Sequence, residues 1–274
     1  MTRRTLTLSV GILLTAFVAA IAIVSLVWLP HGIGDTSGGR LSPPGTDGYL
    51  FGTDRLGRDL TSQFMIGARI AMITGIGAVV IAAVVGIVCG IIAAFAEGWL
   101  DDTLAGLLDV LIAFPTLLLA MLIVAAQPAT IWTAVLAIGL AQSAIIARLT
   151  RILAKRVLQS SYVTAARTSG TRSFGIVVGH VLPNIWTTLA VSLALQFGLA
   201  VLAEASLSYL GLGAPPPNAS WGRLLQESQQ TVLVAPMGAI VPGVLIVVLV
   251  IGVNLIADGL RDRLDPTARE RPAS

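Results

Sequence analysis

The chain has 274 residues, of which 17 are Lys or Arg and 14 are Asp or Glu, so only 11% carry charge. Soluble domains carry roughly a quarter, and 55% of this chain is hydrophobic. A soluble globular domain is therefore excluded, and the single Cys excludes a disulfide scaffold. The net charge of +3 is typical of basic loops beside a bilayer rather than of a nucleic-acid surface.

The first uncharged segment follows Arg3 and Arg4 and predicts a membrane-spanning helix over 8–28. The alternative is a cleaved signal peptide, because two arginines also resemble its charged start. The apolar segment is longer than the ~7–15 residues of such a peptide, and no small-residue cleavage site ends it. We therefore favour an uncleaved anchor.

Five further spans are predicted. The third and fourth share the uncharged interval between Asp109 and Arg148, which Gln127-Pro128 interrupts, so we predict two helices joined by a tight turn. The five spans are 70–96, 104–126, 131–147, 185–209 and 237–257, giving six in all.

The positions of Lys and Arg predict the orientation. If the N-terminus is cytoplasmic, 12 of the 17 basic residues lie on the inner side, as the positive-inside rule requires. Both termini are then cytoplasmic. The predicted organisation is an anchor helix with an extracytoplasmic loop over 1–70, a core of five membrane helices over 71–258, and a cytoplasmic tail over 259–274.

The sequence does not contain a pattern of residues that is typical of an enzyme active site. The only Lys is Lys155, and no glycine-rich phosphate-binding loop precedes it. His31 and His180 are predicted on opposite sides of the membrane and cannot share a metal. Since no nucleophile–base pair is evident either, we expect no enzyme activity, no metal and no cofactor in this chain.

Two ionisable residues fall within predicted spans, Asp109 and Glu204. Such residues are costly in lipid and often functional, so both are candidates for a translocation path or gate, although an interfacial or packing role is favoured. The second span also carries small residues at four-residue spacing, which predicts close helix packing within the chain or against a second subunit. These are Ala82, Gly86, Gly90 and Ala94.

The inner segment 148–184 predicts two short helices outside the bilayer. One runs from Tyr162 and ends at Gly170, a residue suited to helix C-termini. The other begins at Ser173, and Pro183 then precedes the fifth span. A compact projection with an apolar face and basic neighbours suits docking to a cytoplasmic partner. The alternative is a hairpin lying on the membrane surface, and composition alone favours the two interpretations equally.

The order of residues in this segment resembles the loop of permease subunits of ATP-binding-cassette importers. Ala165-Ala166, Gly170, Ile176 and Leu182-Pro183 carry the resemblance, whereas Thr164 replaces the family's usual acidic residue. The resemblance implies that 148–184 is a coupling loop that docks on an ATPase subunit. The residues assigned to it are Tyr162, Ala165, Ala166, Gly170, Phe174, Ile176, Leu182 and Pro183.

Four further stretches are similar to one branch, the peptide/nickel permeases, and in particular to the shorter second permease. They are 51–59 with 67–69, Ala113-Phe114-Pro115, 202–213 leading to Pro216 and 220–222, and 258–262 with 264–266. The resemblance implies that the outer motifs face a receptor. The receptor-facing residues predicted from them are Asp54, Gly57, Arg58, Asp59 and Trp221.

This resemblance implies an all-α membrane protein with the type I importer permease fold, in the inner membrane of a bacterium. It would form a path for di- and oligopeptides with a second permease, one or two ATP-binding subunits and an extracytoplasmic binding protein, with ATP and Mg on the ATPase subunits. Alternatives are a permease for nickel or another small solute, and a non-transporting scaffold or ATPase-linked sensor. The lack of an internal repeat and of paired mid-span carboxylates argues against a proton- or sodium-driven carrier.

Overall fold

The computed structural model describes residues 3–213, 215 and 218–264, and this part of the chain is helical without a β-strand. Pro216, Asp265-Pro266 and the rest of the predicted tail from 265 onward lie outside the described residues. The helices are α1 (Arg3–Val27), α2 (Leu60–Phe95), α3 (Trp99–Ala113), α4 (Thr116–Ala125), α5 (Ile131–Leu158), α6 (Ser161–Thr168), α7 (Ser173–Ile176), a π-helical turn (Val177–Val181), α8 (Leu182–Tyr209), α9 (Trp221–Ser228) and α10 (Met237–Leu264).

Five helical segments within the described ranges are long and apolar enough to cross a membrane. They contain α1, α2, α5, α8 and α10, and the bent pair α3–α4 makes a sixth if it is counted as one span. The prediction of an all-α protein with six membrane segments is confirmed when the bent pair is counted as one span. The chain is a multi-pass membrane protein.

The third predicted span is wrong as one continuous helix. α3 and α4 meet at an angle of 86°, because Pro115 has no amide hydrogen to donate and its ring excludes helical backbone at the preceding residue. Phe114 accordingly is extended, with φ −75° and ψ 132°. The turn predicted at Gln127-Pro128 is present between α4 and α5.

The prediction that the second short helix of the inner segment is a separate element is also wrong. α7 continues through the π-helical turn into α8, so that residues 173–209 form one helical run. Pro183 does not end a helix here. It is the second residue of α8 and directly follows the π-helical turn, so the amide hydrogen that it lacks falls where the regular α-helical hydrogen-bond pattern is already interrupted.

Close packing of α2 on α5 answers the question that the small-residue pattern left open. A Cβ added to Gly86 would lie 2.6 Å from Cβ of Ile146, and one added to Gly90 would lie 2.5 Å from the Ala147 carbonyl oxygen. Both contacts are within this chain. Larger side chains would therefore push α2 and α5 apart, and the lost dispersion contact is the main attraction between helices in lipid.

α2 separates two ends of the molecule, each with its own buried cluster. At the start of α2 lies the cap, which we define as residues 28–59 together with α9. At the end of α2 lies the elbow, which we define as residues 159–181 and which contains α6 and α7. Because a helix rises 1.5 Å per residue, the 36 residues of α2 place the cap and the elbow about 50 Å apart.

Candidate functional site

A carboxylate organises the tip of the cap. Asp54 Oδ1 accepts hydrogen bonds from the amides of Leu56 (2.8 Å) and Arg58 (2.9 Å), and Oδ2 accepts one from Arg58 Nε at 2.7 Å. Gly57 has a positive φ of 81°, and a Cβ there would run into the Gly38 backbone. The predicted Asp54, Gly57 and Arg58 thus form one tight turn.

The next acidic residue, Asp59, begins α2. Its carboxylate accepts from the amides of Thr61 and Ser62 and from Ser62 Oγ at 2.8 Å, and His31 Nδ1 lies 3.1 Å away. Burial raises the pKa of Asp59, but the hydrogen bonds from Ser62, His31 and Thr61 together outweigh burial and lower it below the ordinary value. Asp59 is therefore a charged N-cap that fastens the cap to α2.

Trp221 locks α9 against α2. Its ring is 1% exposed, its Nε1 donates to the Phe64 carbonyl at 3.1 Å, and it packs against Gly67, where any Cβ would overlap the ring. Glu227 on α9 accepts from Arg58 at 3.2 Å. The outer motifs, distant in sequence, are thereby brought together in one structure.

The receptor-facing prediction is wrong for the side chains of Asp59 and Trp221. Both are buried, at 3% and 1% exposure, and they hold the cap in place. Large apolar side chains are also exposed on the cap and on the segment after α9, and sequence reasoning missed them because isolated leucines and valines give no signal. They are Leu50, Leu56, Leu233 and Val234.

The elbow is held by three buried side chains, those of Val163, Ile176 and Val181. Val163 on α6 and Ile176 on α7 join a cluster with residues at the ends of α2 and α5. Gly170 ends α6 with φ +86°, and the Thr171 amide donates to the Ala166 carbonyl at 3.0 Å, which is the bond of a Schellman motif. The glycine at this bend is therefore required by the backbone.

The residues predicted for the coupling loop, of which Leu182 and Pro183 lie just after the elbow, differ in their exposure. Ile176 is buried, and Ala166 and Leu182 are half-buried. Phe174 is 80% exposed, a high value for a phenylalanine. The other exposed members of the set are Tyr162, Ala165, Gly170 and Pro183.

Ion pairs hold α3 to the last turns of α5. Asp101 accepts from Arg151 Nε at 3.1 Å and also pairs with Lys155. Sequence reasoning missed Asp101 because it considered only ionisable residues inside predicted spans, and Asp101 precedes the third predicted span. Asp109 is exposed and pairs with Arg148 at 3.3 Å. The position of Asp109 fits the interfacial role.

Glu204 is buried in α8, at 4% exposure, and accepts a hydrogen bond from Ser208 Oγ at 2.7 Å. The carbonyl oxygen of the neighbouring Ala205 lies so close to Gly222, at the start of α9, that a Cβ added to Gly222 would overlap it. These contacts fit the packing role that the sequence favoured, at the joint of α8 and α9.

A cavity of about 230 Å³ lies between α4, α5 and α8, with Gln142 and Gln196 at its lining near the middle of their helices. The two amides are 1% and 5% exposed, and Gln142 Nε2 donates to the Gln196 carbonyl at 3.1 Å. Sequence reasoning missed them because it searched the spans for charge alone. A search of the predicted spans for uncharged amide side chains would have found both glutamines.

Comparison with protein families decides the identity. A family model described as "Binding-protein-dependent transport system inner membrane component" matches residues 86–270. The chain belongs to this family. It is accordingly an inner membrane transport permease of the ATP-binding-cassette importer type, a class of membrane component without enzyme activity of its own.

Relatives of the permease match it over most of its length. A protein of Alkalihalophilus pseudofirmus, the dipeptide transport system permease protein DppC, is 36% identical over 93% of this chain and 84% of its own. The glutathione transport system permease protein GsiD of Pectobacterium atrosepticum is 36% identical over 83% and 75%. GsiD of an Escherichia coli strain is 38% identical over 80% and 72%.

The fold also has a counterpart among solved structures. The crystal structure of an amino acid ABC transporter with histidines matches with a TM-score of 0.59 and 17% identity, covering 74% of this chain and 95% of that chain. At this identity the match shows the fold alone. It confirms the permease fold that the sequence predicted.

Proposed function

We propose that this chain is one permease subunit of an ATP-driven importer of di- and oligopeptides. Its relatives are named for dipeptide and glutathione transport, and they match over most of their length. It would line the path together with a second permease and receive peptides from an extracytoplasmic binding protein. ATP and Mg would be bound by one or two separate ATPase subunits.

The elbow is the observation that carries this proposal. An aromatic side chain as exposed as Phe174, on a short element fixed by Val163 and Ile176, is a docking feature rather than part of this chain's own core. We place the ATPase subunit on this surface. Its closure would then turn the bundle through the continuous helix formed by α7, the π-helical turn and α8.

We further propose that the elbow and both termini are cytoplasmic, and that the cap faces the receptor. Cysteines introduced at Leu233 and Phe174, in a Cys89→Ser background, test this because both positions are highly exposed, at 97% and 80%. An impermeant maleimide applied to intact cells should label the first and not the second. Labelling of the second alone would reverse the orientation.

Uptake by the reconstituted complex tests the substrate. Proteoliposomes containing this chain, its second permease, the ATPase subunits and the receptor should accumulate labelled dialanine only when ATP is supplied. Nickel is the control, because the branch that the sequence resembles includes nickel permeases. Accumulation of nickel without dialanine would replace the peptide assignment, and no ATP-dependent uptake of either would favour a scaffold.

A further inference from the structure

A polar cavity of about 430 Å³ lies between the elbow and the ends of α2 and α5. Phe95 and Glu97, at the end of α2 and just beyond it, form one part of its wall. Polar side chains of α5 and the elbow form another part, and these are Lys155, Gln159, Arg167, Thr171 and Ser173. Phe174, on which we place the ATPase subunit, is not among the residues that line the cavity.

Arg167 brings hydrogen-bond donors without a partner to this cavity. Its guanidinium carbon, Cζ, lies 6.0 Å from the centre of the Phe95 ring, which itself lines the cavity. The side chain of Arg167 forms no hydrogen bond or ion pair with another described residue. A guanidinium presents its N–H groups in a planar fork that matches the oxygens of a phosphate. A phosphate in the cavity would therefore pair with a cation that this chain leaves uncompensated.

The charge around the cavity also favours an anion. The chain segments that surround it, 94–102 and 151–176, contain five basic and three acidic residues, a net charge of +2. Lys155 is already paired with Asp101, so Arg167 provides the main attraction. Glu97 opposes an anion, because its carboxylate belongs to the cavity wall. The two basic side chains disfavour a metal ion.

The position of the cavity along the helices places it at the depth of lipid phosphates. The membrane part of α2 begins near Ile70 and that of α5 at Ile131, and about 20 residues cross the hydrocarbon core. Phe95 and Lys155 lie about four or five residues further on, which is about 6–7 Å. A headgroup layer is about 5–7 Å thick. Trp99, at 77% exposure, agrees with this depth because tryptophan is enriched at the interface.

We infer that this cavity is a binding site for a phosphate group, with Arg167 as its main ligand and the hydroxyls of Thr171 and Ser173 as further donors. An anionic lipid headgroup or a small phosphate ester in the cytoplasm would carry the phosphate. The depth of the cavity favours the lipid, since basic pockets between helices on the cytoplasmic side bind acidic headgroups. The inference rests on the cytoplasmic position proposed for the elbow, which a bound lipid would fasten to the inner leaflet.

Retention of lipid by the purified complex tests the site. The complete permease–ATPase complex is equilibrated with mixed micelles of phosphatidylglycerol and phosphatidylcholine, and the lipid retained after gel filtration is counted by mass spectrometry. The wild type should retain phosphatidylglycerol in preference. Arg167→Gln should raise the mole fraction needed for half-maximal retention about fivefold, as expected for one basic side chain near a membrane surface. Because Arg167 is exposed, its melting temperature should not change.

Two further variants sharpen this measurement. Arg172→Gln is the matched control, since it removes the same charge from an exposed position of the elbow that does not line the cavity, and it should retain lipid as the wild type does. Glu97→Gln should have the opposite effect to Arg167→Gln and increase retention, because it removes the opposing carboxylate.

A second assay distinguishes the two sources of phosphate. The complex in nanodiscs of phosphatidylcholine alone is titrated with sn-glycerol 3-phosphate in a calorimeter. If Arg167→Gln reduces the retention of phosphatidylglycerol, the ligand is a lipid headgroup. If Arg167→Gln abolishes only the binding of glycerol phosphate, the ligand is a soluble ester.

The outcomes separate this inference from the proposed function. Retention that is equal in the wild type and Arg167→Gln, with no binding of glycerol phosphate that depends on Arg167, would overturn the inference. An equal loss in Arg172→Gln would also overturn it, because the general charge of the elbow would then be responsible. Neither assay requires transport, so uptake of dialanine by the same wild-type complex would leave the proposed function intact. External labelling of a cysteine at Phe174 would instead contradict the cytoplasmic position, and the inference would fail with it.

Discussion

The cap and the elbow differ in which side chains they bury and which they expose. In the cap, charged and aromatic side chains are turned inward, where Asp59 and Trp221 are nearly inaccessible and form specific hydrogen bonds to α2. In the elbow, only apolar anchors are buried, and the aromatic Phe174 points outward. The structure at the start of α2 therefore buries polar and aromatic side chains, whereas the structure at its end buries apolar side chains and exposes an aromatic one.

This difference separates stability from function along the chain. Buried polar side chains that form specific hydrogen bonds, as Asp59 and Trp221 do, favour one arrangement over others, so changes to them should lower the free energy of unfolding. The elbow has few such bonds, and its exposed residues contribute little to folding. Changes there should impair contact with a partner while the protein remains folded.

The largest loss of stability is expected from Trp221→Ala. Removing a buried tryptophan costs about 3–5 kcal/mol, and here the Phe64 carbonyl also loses its donor. The protein purified in detergent should unfold at a much lower temperature, which fluorescence-detected thermal melting measures. Trp132→Ala is the control, since that ring is 68% exposed. Equal melting of the two variants would contradict the role given to the cap.

Asp59→Ala should have the next largest effect, about 0.5–2 kcal/mol, as expected for loss of a helix N-cap. The wild type should also show a pH dependence that the variant lacks. Because the pKa of Asp59 is lowered in the folded state, its stabilisation is present above the unfolded pKa of about 3.9. It is lost as the pH falls through the folded pKa. Melting curves recorded from pH 6 downward should therefore converge in acid.

These two residues also show what could be predicted from sequence. The motifs containing Asp59 and Trp221 were recognised, and the helical class followed from composition. The burial of Trp221 could not be foreseen, because it depends on α9 returning to α2 across more than 150 residues. The contact of Asp59 with His31 likewise depends on the path of the loop between α1 and α2. Likewise Ala113-Phe114-Pro115 is recognisable as a motif, but the size of the bend, 86°, and the cavity beside it depend on how α4 packs on α5 and α8.

Gly170→Val should lower stability about as much as Asp59→Ala does, and it should have a large effect on uptake. A side chain at φ +86° costs about 1–2 kcal/mol, while nothing within 4 Å obstructs the added Cβ. The change alters the bend that presents Phe174. The ATPase subunit should co-purify poorly, or ATP should be hydrolysed without peptide uptake.

Gly48→Val is the matched control for this change. Gly48 has nearly the same φ, +87°, with open space around it, but lies in the cap. Both variants should therefore melt at similar temperatures, and only the elbow variant should lose the ATPase subunit. Loss of that subunit from both would show that backbone strain, and not the elbow surface, is responsible.

The smallest change in stability is expected from Phe174→Ala and Leu233→Ala, because both side chains are almost fully exposed. Substitutions at such positions usually alter the free energy of unfolding by less than about 0.5 kcal/mol. Their functional effects should nevertheless differ. Phe174→Ala should weaken co-purification of the ATPase subunit, since exposed aromatic residues often dominate the energy of a docking surface. Leu233→Ala should retain that subunit and reduce the stimulation of ATP hydrolysis by the peptide-loaded receptor. Measuring both quantities on both variants makes each the control of the other, and the same pattern of loss in the two would contradict the assignment of separate partners to the two ends.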